Sequence, residues 1–128
     1  MDRLVVDSWA WVEYFRGSEI GRRVSERVSQ GDELWTSVVS LCEVVSKYRR
    51  EKVSESTAVE AITSLSKLGE IDQEDAIEAG KVHAEVKSRS PNFGLADSFV
   101  LQLARKIGAK VLTGDPDFKG LREADFIA

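Results

Sequence analysis

The sequence contains one cysteine and one histidine, Cys42 and His83, and this scarcity excludes several kinds of site. A disulfide scaffold needs paired cysteines, and a zinc site of the usual composition needs several cysteine or histidine ligands. The sequence also has no glycine-rich phosphate loop and no hydrolase motif built on serine and histidine. Any catalytic chemistry must therefore come from carboxylates and hydroxyls.

An excess of positive charge and long apolar runs are also missing. The chain carries 18 basic and 22 acidic side chains, a net charge of −4, which excludes binding to nucleic acid through bulk charge alone. Contact with nucleic acid would need local basic patches or bound cations. No apolar run has the length of a signal peptide core or a membrane span, and a lone thiol is typical of a reducing compartment. We therefore expect a soluble cytoplasmic protein with no membrane partner.

Short aliphatic segments alternate with amphipathic segments along the 128 residues. The predicted strands are 3–7, 33–36, 70–71, 110–113 and 125–127, and the predicted helices are 8–16, 18–30, 38–51, 54 or 56 to 67, 73–88 and 95–107. In the helix over 38–51, Leu41, Cys42 and Val45 are predicted to form an apolar stripe with Tyr48. This alternation predicts an α/β fold in one domain, residues 1–128, with a short, mostly parallel sheet inside a three-layer α/β/α sandwich.

Four acids fall where the predicted fold can bring them together. Asp7 and Asp115 follow two strands, Asp97 lies in the first turn of a helix, and Glu43 lies within another helix. Ligands of such sheets bind beyond the carboxyl ends of the strands. Two carboxylates about 5 Å apart repel by roughly 3 kcal/mol at an effective dielectric of 20, so four acids in one site favour a divalent cation. Oxygen ligands suit Mg²⁺ or Mn²⁺.

Each acid also has a structural interpretation. Asp7 can cap the helix that follows it, and Asp97 is favoured in a first helical turn by the helix dipole. Asp115 and Asp117 flank a proline and can form an ordinary turn. Glu43 can form an exposed ion pair with Lys47 one helical turn away.

The sequence motifs around these acids resemble those of the PIN-domain family, and among its members those of the VapC-like toxins of toxin-antitoxin pairs. The resemblance covers essentially the whole chain and is carried by Val6-Asp7-Ser8, by Leu95-Ala96-Asp97-Ser98 and by Leu112-Thr113-Gly114-Asp115-Pro116-Asp117-Phe118. The chain departs from the family at Ser98, where alanine is frequent, and at Gly114, where a larger residue is frequent. Neither departure removes a carboxylate.

The resemblance implies a ribonuclease that hydrolyses RNA phosphodiester bonds with Mg²⁺ or Mn²⁺. It assigns the catalytic and metal-binding roles to Asp7, Glu43, Asp97 and Asp115. Additional candidates beside these acids are Asp117 and the hydroxyl residues Ser8 and Thr113.

The expected partners are RNA, a cognate antitoxin and a second copy of the chain. Basic residues that follow Glu43 on its helix are candidates for RNA binding: Lys47, Arg49 and Arg50. The resemblance implies a homodimer, which would also enlarge the surface available for RNA. We expect the antitoxin to place apolar side chains against Trp9 and Trp11, and a basic residue against Asp7 and Asp97.

Three other functions compete with this one. A phosphoacceptor receiver domain needs adjacent acids after the first strand, but Ser8 follows Asp7. A phosphatase with a second aspartate two positions after the first is disfavoured by Trp9. The main alternative is a PIN-fold RNA-binding or RNA-processing module outside a toxin-antitoxin pair.

Overall fold

The computed structural model describes residues 2–127. The strands are β1 Arg3–Val6, β2 Glu33–Ser37, β3 Lys67–Gly69, β4 Lys110–Thr113 and β5 Ala124–Phe126. The helices are α1 Ser8–Arg16, α2 Glu19–Val28, α3 Val38–Arg50, α4 Ser56–Leu65, α5 Gln73–Lys87 and α6 Leu95–Ile107, and a 3₁₀ turn spans Pro116–Phe118.

The five strands form one sheet in the order β3-β2-β1-β4-β5. Every pairing among the described strands is parallel, with Val6 opposite Leu112 at the centre, which confirms the predicted short, mostly parallel sheet. The third strand was misplaced. It is β3, three residues earlier than the predicted 70–71, and α4 ends at Leu65 instead of continuing to Lys67.

Helices cover both faces of the sheet and make three layers. Val5 and Val111 point to one face, where they pack with residues of α5 and α6 such as Val86 and Leu101. The alternate positions of the strands, among them Leu4, Val6, Leu34 and Leu112, point to the other face and pack with α1–α4. A parallel sheet buried on both faces explains why its strands are almost continuously apolar. None of the helices within residues 2–127 has the length and apolar character that crossing a bilayer requires.

The predicted apolar stripe of α3 was wrong in part. Cys42 is exposed, whereas Ser40 and Val44 are the buried residues of this helix. Apolar side chains occupy more than one face of α3, so their spacing alone could not identify the face that packs on the molecule. The helix begins where the Ser37 hydroxyl accepts a hydrogen bond from Val39 N.

Candidate active site

The candidate site lies where the sheet changes its winding direction. The chain proceeds outward from β1 through β2 to β3 on one side and from β4 to β5 on the other, so the change falls between β1 and β4. Asp7 follows β1 directly, and Asp115 lies two residues beyond β4. Crevices at such switch points are where open α/β sheets bind ligands.

The helix α6 brings a third acid to the same edge. Its N-terminal turn holds Asp97, whose carboxylate accepts a hydrogen bond from Gly94 N at 2.9 Å. This contact closes the first turn of α6 and fixes the direction of the side chain. Asp97 therefore stabilises the first turn of α6, as its structural interpretation predicted, and it also lies beside the other acids.

Asp97, Asp115 and Asp117 form the tightest acidic group among the described residues. One carboxylate oxygen from each lies within 4.8 Å of the others. Oxygen ligands on one Mg²⁺ ion are separated by about 3 to 4 Å, so small side-chain adjustments would let this group hold one. Hard carboxylate donors also match the preference of Mg²⁺ and Mn²⁺. The donor set fits the cation that the sequence predicts, although Asp117 lies closer to Asp97 and Asp115 than its secondary rank suggested.

Asp7 is buried, with 4% of its surface exposed, and is close enough to Asp115 and Asp97 to feel their charges. Its carboxylate accepts a hydrogen bond from Ala10 N at 2.8 Å and so caps α1. Burial, with a smaller contribution from the charges of Asp115 and Asp97, raises the pKa of Asp7 to about 7, against the opposing effect of the Thr113 hydroxyl. The surrounding residues of the protein therefore compensate the negative charge of the ionised Asp7 carboxylate poorly.

Neighbouring acids show the same imbalance. Burial and the charges of Asp115, Asp117 and Glu43 raise the pKa of Asp97 to about 6. Burial and the charge of Asp115 also raise the pKa values of Glu43 and Asp117. The described residues around the group supply backbone N–H and hydroxyl donors but no cation in contact with it, which is the electrostatic condition that a divalent ion would relieve.

Glu43 is held toward the site by Ser8. The Ser8 hydroxyl donates to Glu43 Oε1 at 3.0 Å across the gap between α1 and α3. The alternative ion pair between Glu43 and Lys47 is absent from the described residues, because Lys47 pairs with Glu51 at 2.7 Å instead. This contact between Ser8 and Glu43 joins residues far apart in sequence, so the sequence alone could not establish it.

The turn after β4 is shaped by Thr113 and the acids themselves. Asp115 N donates to the Thr113 hydroxyl at 3.0 Å, and Asp117 N donates to Asp115 Oδ1 at 2.9 Å. These bonds confirm the structural interpretation of the turn. They fix the turn that carries Asp115 and Asp117, whose carboxylates lie near that of Asp97, so Thr113 supports the acidic group through the backbone of this turn.

A cleft of about 320 Å³ opens beside the acids between α1 and α3. Glu43 and Asp115 line it together with three basic residues, Arg16, Lys47 and Arg50. The structure does not bring Arg49 to this cleft, because Arg49 points toward Glu55 at 3.8 Å. Arg16 was not predicted from the sequence, although Ser8, Val12 and Arg16 follow one another at intervals of four residues, which places all three on one helix face.

The aromatic residues of α1 are more internal than expected. Trp11 is fully buried, donates to the Thr36 hydroxyl at 3.0 Å and stacks on Phe15. Trp11 and the buried Asp7 are therefore inaccessible to an antitoxin, contrary to the expectation for both. Trp9 does line the cleft, and it packs on the backbone of Gly114, where an added Cβ would lie 2.2 Å from its ring.

The comparisons with known proteins agree with this architecture. The PIN domain family model matches residues 4–124, and the chain belongs to the PIN-domain family. None of the curated proteins matches the chain by sequence.

Several solved structures share the fold at low sequence identity. VapC20 of Mycobacterium tuberculosis, described as a sarcin-ricin loop cleaving toxin, superimposes with a TM-score of 0.79 at 15% identity over 98% of this chain and 99% of that one. DNA-bound VapBC from Salmonella typhimurium gives a TM-score of 0.70 at 20% identity over 97% and 96%. A toxin-antitoxin complex from Klebsiella pneumoniae gives 0.72 at 16% identity over 98% of each chain.

Proposed function

We propose that the protein is a metal-dependent endoribonuclease that acts in the cytoplasm as the toxin of a toxin-antitoxin pair. The observation that carries this proposal is the group of Asp97, Asp115 and Asp117 at the switch point, with Asp7 and Glu43 beside it. Similarity in fold to a toxin that cleaves the sarcin-ricin loop and to toxin-antitoxin complexes supports the class of reaction and the kind of partner.

Asp97, Asp115 and Asp117 would hold the cation, and Asp7 and Glu43 add negative charge around it. When bound, Mg²⁺ or Mn²⁺ supplies water of lowered pKa and neutralises charge on the phosphate. Thr113 fixes the loop that carries Asp115 through its hydrogen bond with Asp115 N. Ser8 orients Glu43, and the α1 cap holds one oxygen of Asp7 on Ala10 N. The chain's own hydrogen bonds thus preorganise the acids before substrate arrives.

The basic residues of the cleft give RNA a path to the acids. Arg16, Lys47 and Arg50 line the cleft that also contains Glu43 and Asp115. They supply the local positive charge that a chain with a net charge of −4 needs for binding a polyanion. We include Lys47 and Arg50 in the proposed RNA surface, add Arg16, and leave Arg49 outside it.

A cognate antitoxin would inhibit the enzyme by covering this cleft. Of the residues predicted to contact the antitoxin, Asp97 and Trp9 are half-buried and remain accessible. An Arg or Lys of the antitoxin beside Asp97 would compete with the metal for the same carboxylates.

Inducible expression in a bacterial host tests the toxin and the nuclease together. Wild-type protein should arrest growth and create new RNA 5′ ends that sequencing maps, because cleaved RNA accumulates after induction. Asp97→Asn should abolish both effects, whereas Asp32→Asn, which changes an acid before β2 at the opposite edge of the sheet, should retain them.

New RNA ends without growth arrest would favour an RNA-processing enzyme outside a toxin-antitoxin pair. RNA that co-purifies with the protein without any new ends would favour an RNA-binding module. Either result would contradict the proposed toxin.

A further inference from the structure

The cleft beside the acids has chemically different ends. Along α1 the lining runs from Ser8 and Trp9, next to Glu43 and Asp115, to Arg16 about two helical turns further on. Along α3 it runs from Glu43 to Arg50, so acidic, aromatic and basic side chains line one cavity of about 320 Å³, with Trp9 at its acidic end. A scissile phosphate and its adjacent base at the acidic end, with the next phosphate toward the arginines, would fit this lining.

Trp9 is held rigidly in that wall. A Cβ built at Gly114 would lie 2.2, 2.4 and 2.8 Å from three carbons of its six-membered ring, so the indole rests directly on the backbone of the loop that carries Asp115. Gly114 is itself buried. A ring fixed in this way loses little conformational freedom when a base stacks on it, which favours binding.

The basic residues are free to turn toward a phosphate. Arg16 pairs with Glu13 at 3.2 Å, and Arg50 donates to the Ser46 hydroxyl at 3.4 Å. The Arg16 side chain is 55% exposed, and that of Glu13 is 16% exposed. Because the arginine itself is exposed, its pair contributes little to stability, and a phosphate can displace it at small cost.

We infer that this cleft binds one nucleotide of single-stranded RNA next to the scissile phosphate, with its base stacked on Trp9 and its far phosphate near Arg16. The inference rests on the proposed function, because the acidic group must hold the scissile phosphate. Stacking on Trp9 needs a base with a free face, so a paired base inside a helix does not fit. The subsite therefore takes an unpaired nucleotide.

Abasic scanning tests the subsite in the full-length protein with Mg²⁺ or Mn²⁺. Short single-stranded RNAs with one cleavage site carry an abasic nucleotide at each flanking position in turn, and kcat/KM is measured for each. For wild type, one position adjacent to the cleaved bond should lose about tenfold in kcat/KM, the order of magnitude of one lost stacking contact.

Variants at Trp9 separate stacking from a structural role. With Trp9→Leu the intact RNA should lose about the same factor, and removal of the base at that position should then change nothing further. Trp9→Phe should retain most of the wild-type sensitivity. If Trp9→Leu slows every RNA equally and keeps the positional loss, Trp9 only supports the loop and the inference is wrong.

The wild-type scan alone also decides the question if Trp9→Leu fails to fold. Cleavage with no flanking position sensitive to base loss would overturn the subsite and leave the nuclease intact. Absence of cleavage in every RNA would overturn the proposed function and the subsite together.

Discussion

The buried carboxyl of Asp7 gives the protein a dependence on pH that a divalent cation should suppress. Burial raises its pKa from 3.8 to about 7, so between these values the folded protein holds a proton that the unfolded chain has released. The free energy of unfolding must then decrease as the pH rises through this window. Asp97, with a pKa of about 6, adds to the decrease in the lower part of the same range.

Thermal and urea unfolding in EDTA across this pH range measures the effect. Asp7→Asn should remove the larger part of the decrease and leave the metal-free protein more stable above the pKa of Asp7, by an amount on the order of a few kcal/mol. Adding Mn²⁺ should stabilise the wild type more than the variant, because the ion binds the folded state. Asp32→Asn is the matched control. If the free energy of unfolding of the wild type in EDTA did not change across this pH range, Asp7 would already be ionised in the metal-free protein, which would contradict the raised pKa.

Gly114 is the residue at which the loop carrying Asp115 touches α1. Gly114→Ala places a Cβ 2.2 Å from the Trp9 ring, so the ring or the loop must move. We expect a loss of about 1–3 kcal/mol of stability, the usual cost of overpacking, together with slower RNA cleavage.

Gly80→Ala is the control for this change. Gly80 lies within α5, and a Cβ there meets nothing within 4 Å, so the substitution should stabilise the helix by about 1 kcal/mol. Equal melting temperatures for Gly114→Ala and wild type would mean that Trp9 is not seated on Gly114.

At the scale of elements, α1 and α3 form the two walls of the cleft, and only some of their basic residues face it. Arg16 on α1 and Arg50 on α3 line the cleft, whereas Arg49, which precedes Arg50 in the sequence, is 73% exposed and points toward Glu55. Charge alone does not distinguish Arg49 from Arg50. Their positions on the helix do, because adjacent residues point in different directions.

The salt dependence of RNA binding measures which of these residues contact phosphate. Binding of a fluorescent single-stranded RNA to the Asp97→Asn protein can be followed at several salt concentrations without cleavage. Arg16→Gln or Arg50→Gln should each reduce the slope of log K against log salt by about 0.7, the value for one lost contact on a single strand. Arg49→Gln should leave the slope unchanged. A larger reduction for Arg49→Gln than for Arg16→Gln would place the RNA on another surface.

The order of elements could be predicted from the sequence because each strand and helix has its own apolar period. The short strand β3 could not, since Lys67-Leu68-Gly69 contains a single large apolar residue and is a strand through its pairing with β2. Asp7, Asp97 and Asp115 could be assigned to one edge because each is fixed by the end of a strand or the start of a helix. The closeness of Asp117 depends on the turn after β4, and the orientation of Glu43 depends on Ser8. Such contacts arise only when the chain has folded.

At the scale of the whole molecule, a chain with a net charge of −4 would bind RNA through a cleft of about 320 Å³. Pairing of two copies would place two such clefts on one particle. We expect the free protein to be a homodimer, so light scattering at tens of micromolar should give twice the chain mass of 14.2 kDa. A mass of one chain across that concentration range would contradict the dimer without affecting the nuclease.

We expect the acidic group at the switch point to use a divalent cation to cut RNA, and this claim can be tested directly. The most direct test is the cleavage rate of one end-labelled single-stranded RNA by purified protein, measured as Mg²⁺ or Mn²⁺ is titrated into metal-free buffer. We predict no cleavage in EDTA, a rate that saturates with metal, loss of that rate in Asp97→Asn, and an unchanged titration curve in Asp32→Asn. Cleavage that persists in EDTA, or that survives Asp97→Asn with the same metal dependence, would contradict the claim.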